Sequence, residues 1–240
     1  MTGHIVTAFD AELKNLSARI SEMGGLAEEQ LGEALEALRL RDTALAEEVI
    51  RADKRLDSLD LEFEEKAIQL LALRQPMASD LREVVAAIKI ASTLERIGDL
   101  AKNIAKRTIY LNEHPPVKVS NSIVRMGRQV QGLVSEVLDA YTAKDTDLAV
   151  SVWNRDAEID DIHNSIFREL ITYMMEDPHL IGLCSQLLFV SKNLERIGDH
   201  ATFVAEMTYY VVEGAPLADD RPKGAPITSV LPRRSGSDEA

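Results

Sequence analysis

The chain has 240 residues and is 45% apolar, enough for one large hydrophobic core or two small ones. Forty acidic residues against 27 basic ones give a net charge of −13, and the stretch beyond Val212 carries almost none of that imbalance. The folded body is therefore acidic, which argues against a DNA or RNA reader, since those need basic stripes to neutralise phosphates.

Aromatic residues make up only 5% of the chain, while Ala, Leu, Glu, Arg and Ile are abundant, a makeup that favours helices over sheets. Apolar positions recur every three and four residues, and the breaks in that rhythm set the elements. The first helix is expected from about Phe9 to Leu40, weakened but not ended by Gly24, Gly25 and Gly32. After a turn at Arg41–Thr43, a second helix runs to about Arg74 and closes at Gln75-Pro76, because the residue before proline is pushed out of helical geometry. Pro76 is placed to open a third helix, which continues to about Asn112 and stops at His114-Pro115-Pro116.

The second half repeats the plan, with helices expected near Val119–Ala143, Asp145–Glu176 and Pro178–Val212, the last capped by Asp177. Beyond it the residues are Gly, Pro, Ser and mixed charges, which bury too little apolar surface to order themselves. The expected architecture is all-α with six helices: a three-helix bundle over 1–116, a second over 117–212, and a disordered tail over 213–240. Asp53, Asp57 and Asp60 match Asp156, Asp160 and His163 at a constant offset of 103, whereas LERIGD occurs at Leu94–Asp99 and Leu194–Asp199, an offset of 100. A few residues are thus missing from the second copy between its middle and last helices.

Cys184, the only cysteine, lies in an apolar run and is expected to be buried. Neither an export signal nor a membrane span is indicated, so a cytoplasmic location is the expectation. In each LERIGD copy the Glu and the Asp stand one helical turn apart, on the side of the wheel opposite Ile90, Leu94, Ile97 and Ile104. They are expected to face solvent or a partner. The preceding helix carries a second acidic row, Asp53, Asp57, Asp60 and Glu64, and either row could help hold a cation, with His163 and His200 softening the second half. Such rows are also common as plain solvated faces, and Arg96, Lys102 and Lys106 are near enough to neutralise the first. Walker-type, dinucleotide-binding, GxSxG and HExxH patterns are all absent, so no catalytic residue is assigned and no enzyme is expected.

The paired LERIGD motifs, the stretch Leu73–Arg82 reading LRQPMASDLR, Leu94–Arg107 reading LERIGDLAKNIAKR, and Leu194–Ala205 reading LERIGDHATFVA together resemble the PhoU family over about residues 5–212. The resemblance implies two three-helix bundles related by a pseudo-two-fold axis. It implies metal sites with Glu95 and Asp99 as ligands of one cluster and Glu195 and Asp199 of the other, with iron, zinc, manganese or magnesium as candidate divalent or ferric ions. Asp57 and Asp160 on the neighbouring helices are added to these sets. It further implies a homodimeric negative regulator of the phosphate-starvation (Pho) response and of phosphate uptake. Its expected partners are a phosphate-specific ABC transporter and a phosphate-sensing histidine kinase, and it would approach the membrane only through them. Phe203 stands where the first motif has Asn103, and a phenyl ring cannot ligate metal, so the first-half site is expected to be the better ligand set. The alternatives are a carboxylate-bridged metal enzyme, whose sites use inward Glu-x-x-His pairs absent from these motifs, and a metal-independent helical scaffold.

Overall fold

The computed structural model describes residues 2–217, with side chains from residue 11 onward. Its helices are α1 (Thr2–Leu40), α2 (Thr43–Arg74), α3 (Ser79–Asn112), α4 (Ser120–Ala143), α5 (Thr146–Asn154), α6 (Asp156–Glu176) and α7 (Ile181–Glu213), with one 3₁₀ turn at Pro178–Leu180. The six expected segments are all present, the fifth being interrupted at Arg155 into α5 and α6. Among the described residues there is no strand.

The ends of these helices follow from local chemistry. Asp42 and Asp145 cap α2 and α5 by accepting from the backbone N–H of the third residue onward, at 3.1 and 3.0 Å. Each follows a residue in the left-handed region, Arg41 (φ 58°) and Lys144 (φ 53°), which ends the preceding helix and turns the chain. Pro76 does not open α3 as expected. Gln75 (φ 45°) and Ala78 (φ 51°) hold a short loop, and α3 begins at Ser79. Asp177 does cap the turn at Pro178, accepting from the His179 N–H at 3.0 Å. The expected tail begins later than Glu213, because α7 includes that residue and Leu217 still packs on the core. From residue 218 onward it lies outside the described residues.

In the first half α1, α2 and α3 pack on one another, and in the second α4, α5, α6 and α7 do the same. Across the halves α1 meets its repeat α4 and α3 meets its repeat α7, while α2 packs only within its own half, as a two-fold axis running between the α1–α4 and α3–α7 pairs allows. The α1–α4 contact shows this in detail: a Cβ on Gly24 would come 2.5 Å from Leu138, and one on Gly127 would strike Leu35. Gly24 and Gly127 are equivalent positions, as are Leu35 and Leu138, so one glycine hole receives one leucine knob in each direction. A single hydrophobic core runs through both halves, from Leu16 to Ala205, and takes in Cys184 and Trp153.

Helices α3 and α7 are antiparallel: Arg107 near the end of α3 donates to Gln186 near the start of α7 at 2.6 Å, while Arg82 at the start of α3 lies over the Tyr210 ring near the end of α7. Midway between these contacts, the two LERIGD motifs fall at the same level of the helix pair.

Candidate metal centre

The first motif is set by how α2 meets α3. Gly98 leaves room for that approach, since a Cβ there would come 2.5 Å from Leu56 and 2.7 Å from the Gln30 side-chain oxygen. Asp53 occupies a place in the buried stripe of α2 otherwise filled by Val49, Leu56 and Phe63. It is only 2% exposed. One carboxylate oxygen each from Asp53, Asp57 and Asp99 lie within 4.8 Å of one another. Oxygens bound to one cation at about 2.0–2.6 Å span about 4–5 Å across it. This all-oxygen set therefore fits a single hard divalent or ferric ion, and the buried Asp53 Oδ1, which has no hydrogen-bond partner, adds an unsatisfied acceptor beside it.

The expected first-half ligands are thus partly brought together. Asp57 and Asp99 join Asp53, while Glu95 lies outside this trio but within its field. Desolvation raises the Glu95 carboxyl above its ordinary value, and Asp99, Asp60, Asp57 and Asp53 push it further. Asp60 is raised by burial and by Glu64 and Asp57, with Arg96 opposing. The motif carboxylates, expected to face solvent or a partner, are half-buried, with Glu95 in the field of the acidic row of α2 and the Asp99 side chain still 45% exposed.

Lys102 enters this cluster. Its ammonium donates to both Asp53 Oδ2 and Asp99 Oδ1, tying α2 to α3, and its side chain is 19% exposed. Burial disfavours its charge, but the two carboxylates outweigh burial and hold its pKa above the usual lysine value. Burial likewise pushes the Asp53 carboxyl up, with Lys102 pulling the other way.

The second motif is built differently. Glu195 has a side chain only 12% exposed and pairs with Lys192 of its own helix at 2.6 Å. Burial raises its carboxyl, Lys192 opposes, and Asp199 and Asp160 add repulsion, so Glu195, Asp199 and Asp160 share one neighbourhood. Among the described residues, however, they do not converge as closely as the first-half trio. Thr202, at the position of Lys102, places its hydroxyl 3.2 Å from Asp156 Oδ1 and 3.0 Å from the Gly198 carbonyl. His163 turns inward, its Nδ1 2.7 Å from the Ser191 hydroxyl, and burial aided by Lys192 pushes its pKa down to about 4 against the pull of Asp160. It is a neutral core residue at neutral pH.

The comparisons with known proteins agree with one another. The family model described as the PhoU domain matches twice, over residues 20–108 and 123–208. A phosphate-specific transport system accessory protein PhoU homolog of Caulobacter vibrioides is 52% identical over 224 residues, covering 93% of this chain and 97% of that protein. Its counterpart in Rhizobium meliloti is 50% identical, covering 95% and 96%. The crystal structure of PhoU from Pseudomonas aeruginosa superposes with a TM-score of 0.84 at 40% identity, over 86% of this chain and all of that one (100%). The phosphate transport system regulatory protein PhoU from Streptococcus pneumoniae gives 0.81 at 30%, over 87% and 99%.

Proposed function

The chain belongs to the PhoU family, and from that membership we propose that it is a non-enzymatic accessory protein of phosphate-specific transport. It acts as a cytoplasmic adaptor between the phosphate ABC transporter and a sensor histidine kinase, works as a homodimer, and restrains the phosphate-starvation response when phosphate is plentiful. The observation that supports this reading is the double PhoU-domain match together with 52% identity to a protein named as a phosphate-specific transport system accessory protein. No helix among the described residues is long and apolar enough to cross a membrane. Deleting the gene should derepress phosphate-starvation genes in rich phosphate; intact repression would overturn the role.

The same reading includes metal. The oxygen donors of Asp53, Asp57 and Asp99, with Glu95 beside them, would hold an ion on the groove between α2 and α3. A bound cation would supply positive charge to an otherwise acidic face and so alter which partner surfaces it attracts. Glu195, Asp199 and Asp160 form the corresponding candidate set in the second half. Metal analysis of the purified protein against Glu95→Ala/Asp99→Ala is the test, with loss of bound metal expected. One observation favours the rival reading of a metal-independent scaffold, namely that Lys102 already supplies a positive charge between Asp53 and Asp99. Metal-free protein with full partner binding would establish that rival.

A further inference from the structure

We propose that Lys102 is a displaceable, built-in counter-ion: a cation entering the first cluster expels its ammonium from between Asp53 and Asp99 and releases it to solvent. The inference rests on the metal reading above but concerns a different event, the exchange of one positive charge for another.

Three observations carry it. The Lys102 ammonium lies between Asp53 and Asp99, two of the three carboxylates whose oxygens converge within 4.8 Å, so lysine and metal compete for the same two carboxylates. Its neutralisation is incomplete: one positive charge faces Asp53, Asp57, Asp99 and the repelled Glu95. Behind the ion pair, moreover, Asp53 Oδ1 and the side-chain oxygen of Gln30, which is 4% exposed, are both buried without a hydrogen-bond partner. Both lie around the space left by Gly98, at 3.6 and 2.7 Å from where its Cβ would be. Acceptors left without donors at the base of an acidic groove are what a multivalent cation can compensate and a single ammonium cannot.

Lysine is suited to this exchange. Its four-carbon stem can swing the ammonium into water while the stem stays on the protein surface. Because Lys102 links α2 to α3, its release frees a side-chain tie between two helices and replaces it with ion ligation of the same helices. Cation uptake would thus move a positive side chain onto the outer surface beside the groove, a change that a docking partner can sense.

Lysine acylation of the full-length protein, quantified by mass spectrometry in chelator and again with saturating Mn²⁺, reads the event directly. Lys102 should be several-fold less reactive than exposed lysines such as Lys106 in chelator, and should approach them when Mn²⁺ is added. Reactivity of Lys102 that Mn²⁺ leaves unchanged overturns the proposal. As a second measurement, Lys102→Met should bind Mn²⁺ at the first site about tenfold tighter than the parent. Equal affinity of the two proteins, with that binding still abolished by Glu95→Ala/Asp99→Ala, would overturn the lysine exchange and leave the metal reading standing. Absence of Mn²⁺ binding in both proteins would overturn both.

Discussion

The two halves share a plan, yet they solve the same electrostatic problem in different ways. In the first, a lysine on α3 reaches across to α2 and bridges Asp53 and Asp99. In the second, a threonine at that position bonds Asp156, and a lysine of α7 pairs with Glu195 along its own helix. The first half holds its acids together with a charge shared between helices, and three of its carboxylate oxygens converge. In the second a hydroxyl meets Asp156 and a same-helix lysine pairs with Glu195, and among the described residues no trio of its carboxylate oxygens converges as closely. Repetition of a motif therefore does not mean repetition of a site, because the geometry depends on residues outside the motif, such as Lys102 and Thr202 three places beyond it.

The sharpest way to probe this difference is to remove the two side chains at the equivalent position. Lys102→Met leaves the buried Asp53 without its cation, and breaking such a pair costs several kcal/mol when both partners are fully buried. With Lys102 partly exposed, a loss of about 2–4 kcal/mol is expected in metal-free protein. Thr202→Val removes only a hydroxyl hydrogen bond and should cost about 1–2 kcal/mol. Denaturant melts in chelator measure both. Equal losses would mean that the halves are held alike and that the lysine bridge has little strength.

The motif glycines sharpen the comparison in the opposite sense. An alanine methyl at Gly98 would press on Leu56 and Gln30, both buried, so Gly98→Ala should destabilise by about 1–3 kcal/mol through overpacking. At Gly198 the nearest atom is an Ile159 methyl at 3.4 Å, close but able to yield, and alanine is a better helix former by about 1 kcal/mol. Gly198→Ala should therefore be neutral or mildly stabilising, as read by thermal melts. If both variants lose stability equally, α2 and α6 approach their motif helices to the same depth.

Much of this was legible in the sequence. The helical rhythm, the proline and aspartate punctuation and the doubled motif point to six helices in two repeats, and the apolar run around Cys184 marks it as a core residue. Asp57 and Asp99 were chosen as site residues and do meet. What escaped was what depends on packing between helices. Asp53 was visible only as one of an acidic row, although its place in the Val49–Leu56–Phe63 stripe was a signal that it is buried. Gln30, three residues after Ala27 and one before Leu31, carried the same signal of a polar group in an apolar stripe. Lys102 was read as a neighbouring neutraliser, and its reach across to α2 needs the interhelical distance. A helical wheel puts Glu95 and Asp99 away from the core, but it contains no second helix, so it could not show that this side faces the acidic groove. The break at Arg155 had no glycine or proline to announce it; in the structure Arg155 pairs with Glu136 at 2.6 Å at that point.

The smallest effect tests the charge stored in each half. Glu95, Asp60 and Asp53 in the first half, and Glu195 in the second, have carboxyl pKa values raised by burial and by neighbouring acids. A carboxyl whose folded pKa exceeds its unfolded value binds more protons when folded, so stability falls as pH climbs from the ordinary carboxylate range, about 4, through the raised values. In chelator the melting temperature should accordingly decline across that window towards neutrality, and a bound cation should reverse the trend because it needs the carboxylates ionised. Glu95→Gln removes a charge whose neighbours only repel it, and should raise the melting temperature at pH 7 by about 1–3 °C. Glu195→Gln also removes a buried charge but loses the pairing with Lys192, so it should gain less. Should Glu195→Gln gain as much as Glu95→Gln, Lys192 contributes nothing at its half-exposed position, and the second cluster is as unbalanced as the first.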